Sequence, residues 1–162
     1  PISNVTLFSG KDKEFRVQMM YYLALHEEST TWDISQFISR DEIRNEPSRR
    51  SMIVKSHLAG VYRNINEKMI KQKFVLQTGT KLSKGNKLNL GNIKVTRDFT
   101  YIDDAAKNDK SLEGIKAEDL GPGSELTPEE RRKLSRRIKV AYMNHYSSAN
   151  EERRQKEGLL QV

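Results

Sequence analysis

The feature that most constrains the fold is a run of apolar residues at helical spacing in the middle of the chain. Five apolar positions are separated alternately by four and three residues, and they are Val54, Leu58, Val61, Ile65 and Met69. A rotation of about 100° per residue places such positions on one stripe of a helix. We therefore predict a helix from Arg49 to Lys71 that begins after Pro47 and buries this stripe in a core.

The opposite face of this predicted helix combines cations with small side chains. It comprises Arg49, Met52, Ser56, Ala59, Gly60 and Arg63, with Lys55 beside it. Small side chains between cations allow close approach to another backbone, such as that of a nucleic acid. A contact between helices through Ala59 and Gly60 is the alternative interpretation.

Charge is distributed unevenly along the 162 residues. Residues 47–97 contain 12 Lys or Arg and one acid, Glu67, whereas residues 98–130 contain 10 acids and 3 cations. A segment with a net charge of +11 has almost no internal partners for its cations, so an external polyanion is the expected neutraliser. Nucleic acid is the leading candidate, and a basic face kept for solubility is the alternative.

Shorter elements are predicted before the central helix. Alternation of apolar and polar residues over positions 1–8 predicts a strand, and apolar periodicity predicts a helix over positions 11–27. Ser39 and Glu42 have the spacing of a capping box, in which each side chain bonds a free backbone N–H group of the other. A short second helix should begin there and end by Pro47.

Two β-rich stretches separated by turn residues predict a hairpin over residues 73–97. Its middle carries Lys81, Lys84 and Lys87 around Gly85. Cations at the tip of a hairpin can contact a phosphate backbone, and they also keep exposed strand edges from pairing.

The last third of the chain changes character twice. Residues 98–126 are acidic and contain turn residues, which predicts a partly ordered linker that lies along the surface. Thr127, Pro128 and Glu130 then form a strong helix start, because they suit the N-cap, the first helical position and the third. We predict a basic C-terminal helix from there to about Glu152, followed by a charged tail.

The C-terminal helix should have one apolar face and a basic first half. The apolar positions are Leu134, Ile138, Ala141, Tyr142 and His145. An isolated helix of this length is marginal in water, so this face must pack on something. A homodimer formed through this helix is the favoured interpretation, and packing back over residues 11–27 is the alternative. Arg131, Arg132 and Arg136 in the first half would contact DNA phosphates beside each half-site.

The predicted order of elements resembles the winged-helix form of the helix-turn-helix over roughly residues 12–97. A strand, a helix, a short strand, a short helix and a long helix with a basic outer face lead into a hairpin with lysines at its tip. The runs 38–43 and 54–58 are also similar to the second and third helices of response-regulator output domains. The resemblance implies an α+β fold in which the third helix enters the major groove and the hairpin wing contacts neighbouring backbone.

Residue roles follow from this resemblance. The groove-facing set would be Arg49, Arg50, Lys55, Ser56 and Arg63. The wing set would be Lys81, Lys84 and Lys87. Cations on guanine edges give sequence preference, whereas cations on phosphate give affinity and salt dependence.

The same interpretation divides the chain into three parts. Residues 1–97 would form the DNA-binding domain, residues 98–126 the acidic linker, and residues 127–162 the basic C-terminal helix and tail.

Signatures of an enzyme are weak. The chain contains no Cys, which excludes disulfides, thiol chemistry and cysteine-zinc sites. His26, His57 and His145 lack the paired spacing of metal ligands, and residues 79–87 lack the order of a phosphate-binding loop. Acids in residues 98–116 could suggest a nuclease, but a solvated linker explains them better. We expect no enzyme activity, no cofactor and no metal.

The sequence thus predicts a small DNA-binding protein that prefers certain double-stranded sequences and regulates transcription. Its small size and lack of a sensor domain would suit a phage or mobile element. Absence of long apolar stretches and of a signal-peptide pattern predicts a cytoplasmic protein with no membrane partner. The alternatives are an interaction protein that binds RNA polymerase or another nucleic-acid machine, and an RNA-binding accessory protein.

Overall fold

The computed structural model describes most of the chain, in five ranges. These are residues 10–79, 89–98, 100, 110–120 and 123–160. Within them the fold is α+β, with mostly helices and a three-stranded antiparallel sheet. The chain forms two compact units, one of residues His26–Asp98 and one of Pro1–Leu25 together with Phe99–Val162.

The helices and strands of the described residues have the following bounds. The helices are α1 Lys13–Leu25, α2 Thr31–Ile38, α3 Arg40–Asn45, α4 Arg50–Asn64, α5 Ala117–Leu120 and α6 Pro128–Leu160. The strands are β1 Ser29–Thr30, β2 Val75–Gln77 and β3 Lys94–Arg97. The strand predicted over residues 1–8 lies outside the described residues, whereas the helix predicted over residues 11–27 is confirmed as α1.

The sheet of the His26–Asp98 unit has the order β1-β3-β2, and both pairings are antiparallel. Val75 pairs with Arg97, while Val95 pairs with Gln77 on one side and with Ser29 on the other. Val75 and Val95 are fully buried, so one face of the sheet contributes to the core. The predicted hairpin is therefore confirmed in its two strands.

The central helix forms as the periodicity predicts. All five residues of the apolar stripe are at most 9% exposed. The helix begins with a 3₁₀ turn at Pro47–Arg49 and continues past α4 as a π-helical turn at Ile65–Met69. Lys73 then adopts a φ of 62°, which reverses the chain and places Phe74 in the core at 1% exposure.

Helix α2 is not among the elements that the sequence predicts. Thr30 caps the helix, since its hydroxyl accepts a hydrogen bond from the backbone N–H of Asp33 at 3.2 Å. Ser35 is buried and donates from its hydroxyl to the carbonyl of Val54 at 2.7 Å. Trp32 packs against a cluster of Ile43, Ile53 and Val54, which joins α2 to α3 and α4.

Helix α3 forms where the capping box predicted it, but the box itself does not form. Ser39 makes no side-chain cap bond, and its buried hydroxyl donates to the carbonyl of Ser35 at 2.7 Å. Glu42 bonds the ring of His57 instead, at 2.8 Å between Oε1 and Nε2. Because α2 ends immediately before Ser39, a carbonyl of that helix competes successfully for the hydroxyl.

In the second unit, α6 packs against α1. Ile138, Ala141 and Tyr142 are at most 2% exposed, and the rings of Tyr21 and Tyr146 stack with centroids 4.2 Å apart. Three residues of the predicted stripe, Ile138, Ala141 and Tyr142, are therefore covered within this unit, as in the alternative that packed the helix over residues 11–27. The homodimer stays a prediction.

Part of the predicted acidic linker is folded onto α6. Leu112 and Ile115 are 4% and 1% exposed. Arg137 donates from Nη2 to the carbonyls of Ser111 and Glu113 at 3.1 and 2.7 Å, which ties this segment to the helix. The sequence also placed α1 with the DNA-binding domain, whereas the structure groups α1 with residues 99–162.

The predicted helix start at Thr127 is confirmed, and Thr127 and Glu130 form a capping box there. The Thr127 hydroxyl accepts from the Glu130 backbone N–H, and a Glu130 carboxylate oxygen accepts from the Thr127 N–H, both at 3.2 Å. Hydrogen bonding of the Glu130 carboxylate by Thr127, first from its backbone N–H and then from its side chain, lowers the pKa of Glu130. The helix then continues to Leu160, beyond the predicted end at Glu152.

Candidate nucleic-acid interface

The candidate site is the exposed face of α4. Because the stripe of α4 is buried and the helix packs against α2 and the turn at Leu90–Asn92, the residues on its opposite side face outward. The exposed residues are Arg49, Arg50, Met52, Lys55, Ser56, Ala59 and Arg63. All five residues of the predicted groove-facing set are therefore exposed, and Arg50 lies at the N-terminal end of α4.

Arg49 is held in place by two neighbours. Its Nη1 atom lies 2.9 Å from Oε2 of Glu46, and its Nη2 atom lies 3.3 Å from the sulfur of Met52. Both partners of the ion pair are about half exposed, so water screens their attraction and the pair adds little stability. Its main consequence is to orient the guanidinium at the start of the α4 face.

Arg50 and Lys55 differ from Arg49 in having no partner. Within the described residues, neither side chain makes an ion pair or a hydrogen bond. Both are exposed, so their charges are directed to solvent. Arg50 and Lys55 are five residues apart, about 1.4 helical turns, and such exposed cations are suited to an external anion.

Ser56 has a more limited role than the sequence suggested. Its hydroxyl donates to the carbonyl of Ile53 at 2.6 Å. The hydroxyl hydrogen is therefore used within the helix, and Ser56 can offer an external group only the lone pairs of its oxygen.

A groove of about 360 Å³ opens between α3 and α4 beside this face. Its lining residues are Glu42, Asn45, Glu46, Arg49, Met52, Ile53 and Ser56. Sequence reasoning assigned no role to Asn45 or Glu46, since neither lies in the central helix. Their position after the Ser39 helix start and before Pro47 was the available signal, because those residues belong to the turn between two helices.

The predicted wing lysines Lys81, Lys84 and Lys87 lie outside the described residues. The strands that would carry them are paired as far as Thr78, whose backbone N–H donates to the carbonyl of Lys94 at 2.9 Å. The base of the hairpin is therefore established.

The basic residues of α6 form a second set, in the other unit. Arg132 and Arg136 are exposed, and Arg131 is partly buried. Arg132 donates from Nε to the carbonyl of Pro128 at 3.3 Å, which keeps it close to the first turn of α6. The predicted DNA-binding residues thus form two groups that belong to different units.

Comparison with protein-family models, curated proteins and solved structures found no match for this chain. Among the described residues, no cluster of three or more His, Asp or Glu is arranged to hold a metal ion. None of the described helices is both long enough and apolar enough to cross a membrane. The geometry of the α4 face is therefore the basis for proposing a function.

Proposed function

We propose that this protein binds double-stranded DNA through the exposed face of α4 and prefers certain sequences, as a small transcription regulator does. The observation that carries the proposal is the pair Arg50 and Lys55, which are exposed without a partner in the described part of the chain. The residues between the cations on this helix, Met52, Ser56 and Ala59, are small or apolar, so the helix can approach a base edge closely while the cations contact phosphates.

The order of elements in the His26–Asp98 unit supports a winged-helix arrangement. A short strand precedes α2, and that strand pairs with the second strand of the hairpin that follows α4. In a winged helix, the helix before the hairpin lies in the major groove, which assigns α4 to that position. The hairpin between β2 and β3 would then act as the wing, with Lys81, Lys84 and Lys87 on phosphates.

The proposed mechanism is occupancy of a duplex site. Arg49, oriented by Glu46, would donate two hydrogen bonds to a guanine edge, while Arg50, Lys55 and Arg63 contact phosphates. The α6 residues Arg131, Arg132 and Arg136 would add phosphate contacts from the other unit.

Binding of the full chain to duplex DNA, single-stranded DNA and duplex RNA at several salt concentrations tests this function. We expect duplex DNA to bind most tightly. Lys55→Gln should reduce the slope of log K against log salt by about 0.9, because one phosphate contact is lost. Lys71→Gln is the matched control, since Lys71 is also exposed in the same unit but lies two residues beyond the π-helical turn.

Three results would contradict the proposal. Equal slopes for Lys55→Gln and the wild type would remove Lys55 from the interface. Tighter binding to RNA would favour the RNA-binding alternative. No binding to any nucleic acid would favour a protein partner such as a polymerase.

A further inference from the structure

The α4 face carries an apolar side chain at the position where a recognition helix meets base edges. Met52 is 60% exposed, the highest value among the large hydrophobic residues of the described ranges. Single exposed apolar residues are common, so exposure alone carries no meaning. What distinguishes Met52 is its surroundings.

Met52 lies on a stripe that has cations at both ends and no free donor in the middle. The stripe runs through Arg49, Met52, Ser56, Ala59 and Arg63, and Lys55 lies beside it. The Ser56 hydroxyl already donates to the carbonyl of Ile53, and Ala59 has only a methyl group. The middle of the stripe therefore meets a partner through apolar contact rather than through donated hydrogen bonds.

The conformation of Met52 is also constrained. Its sulfur lies 3.3 Å from Nη2 of Arg49, whose other terminal nitrogen is bound to Glu46. Because Met52 contacts an ordered neighbour, its flexible side chain has less conformational entropy to lose when a partner binds. Met52 thus forms an apolar wall of the groove that also includes Ile53, a residue only 8% exposed.

The base edges in the major groove present one apolar group that such a surface can contact. Guanine, cytosine and adenine present only donors and acceptors there, whereas thymine adds its C5-methyl group. We propose that Met52 determines part of the sequence preference by packing against a thymine methyl group. This inference rests on the proposed function, because it assumes that α4 lies in the major groove.

The experiment uses the full chain and a duplex that the protein itself selects from a random library. Each thymine of the selected site is replaced in turn by deoxyuridine, which removes only the methyl group. We expect at least one replacement to weaken wild-type binding about threefold to fourfold, the effect of one buried methyl-sized group. In Met52→Ala, which suits an exposed helical position, the same replacement should have no effect.

Met143→Ala is the matched control. Met143 is 44% exposed on α6, in the other unit, so its removal should leave the deoxyuridine effect unchanged. Comparing the two variants with the two duplexes forms a double-mutant cycle that isolates the Met52–methyl contact. A coupling of threefold or more for Met52→Ala, with none for Met143→Ala, supports the inference.

Failure of the thymine inference and failure of the DNA-binding function would give different results. If selection enriches duplexes but deoxyuridine weakens wild type and Met52→Ala equally, or weakens neither, the thymine inference is overturned and the DNA-binding function stands. If no duplex is enriched and none binds, the DNA-binding function fails, and the inference fails with it.

Discussion

Helices α4 and α6 have the same amphipathic construction but present different outer faces. Each buries a stripe of apolar residues, against α2 in one case and against α1 in the other. On α4, the cations are separated by Met52, Ser56 and Ala59. On α6, positions 131–133, 136, 137 and 139 are all Lys or Arg, and they crowd the first three turns.

This difference shows how two basic helices can serve different parts of one interaction. Densely placed cations hold solvating water and repel one another, so they suit the diffuse negative charge of phosphates. Cations separated by small side chains leave room for base edges to approach the helix. Under the proposed function, α4 supplies sequence preference and α6 supplies affinity that depends on salt.

The largest effect should come from the stripes that both helices bury. We expect Ile65→Ala and Ile138→Ala each to lower the free energy of unfolding by about 2–5 kcal/mol, because each leaves a cavity in a core where the side chain is at most 1% exposed. Met52→Ala and Met143→Ala are exposed controls and should change it by about 0.5 kcal/mol or less. Urea denaturation followed by circular dichroism measures all four. If Ile138→Ala cost no more than Met143→Ala, the packing of α6 on α1 would be contradicted.

Substitutions on the outer face of α4 and on that of α6 should affect DNA binding differently. Replacing Arg49 and Arg63 with Ala should weaken binding to a selected duplex by about 1–3 kcal/mol per base contact and should reduce the ratio of specific to non-specific affinity. Replacing Arg132 and Arg136 with Gln should lower the salt slope by up to about two and leave that ratio unchanged. Fluorescence anisotropy with selected and scrambled duplexes provides both quantities. An equal loss of the ratio in both variants would show that the two faces do not divide these roles.

The two predicted helix starts, at Ser39 and at Thr127, differ in a smaller way. Thr127→Asn should be nearly neutral, because Asn is a good N-cap, whereas Thr127→Ala should cost about 1 kcal/mol. Ser39→Asn should destabilise the protein, since Ser39 is fully buried and bonds the carbonyl of Ser35. Urea denaturation of the three variants tests this. Tolerance of Asn at position 39 would indicate a cap rather than a buried hydroxyl.

The smallest effect is the pH dependence of the α6 start. Hydrogen bonds from Thr127 lower the pKa of Glu130 in the folded protein. A depressed carboxyl pKa adds stability above the ordinary pKa of glutamate, and this stability is lost as pH falls through the folded value. Glu130→Gln keeps a capping side chain that does not titrate.

The free energy of unfolding of the wild type should therefore fall relative to that of Glu130→Gln between neutral pH and about pH 3. Denaturation curves at several pH values measure this difference. Parallel pH profiles of the two proteins would refute a contribution from the Glu130 bonds.

Sequence patterns alone predict the features that depend on contacts between residues a few positions apart. The stripe of α4 is visible in the sequence because its period matches the helix, and the start of α6 is visible because Thr127 and Glu130 bond each other. The exposed face of α4 followed from the same period. These features depend on neighbours three or four positions apart, which any sequence displays directly.

Tertiary contacts decided the features for which a residue had more than one possible partner. Glu42 bonds the ring of His57, 15 positions later in the chain, instead of the backbone of Ser39, and the hydroxyl of Ser35 bonds the carbonyl of Val54. Ile138, Ala141 and Tyr142 of α6 are buried where that helix packs against α1, more than 100 positions earlier in the chain. A local pattern shows that a polar group needs a hydrogen-bond partner, or that an apolar face must be buried. It does not show which group fulfils that need, because the partner depends on which segments the fold brings together.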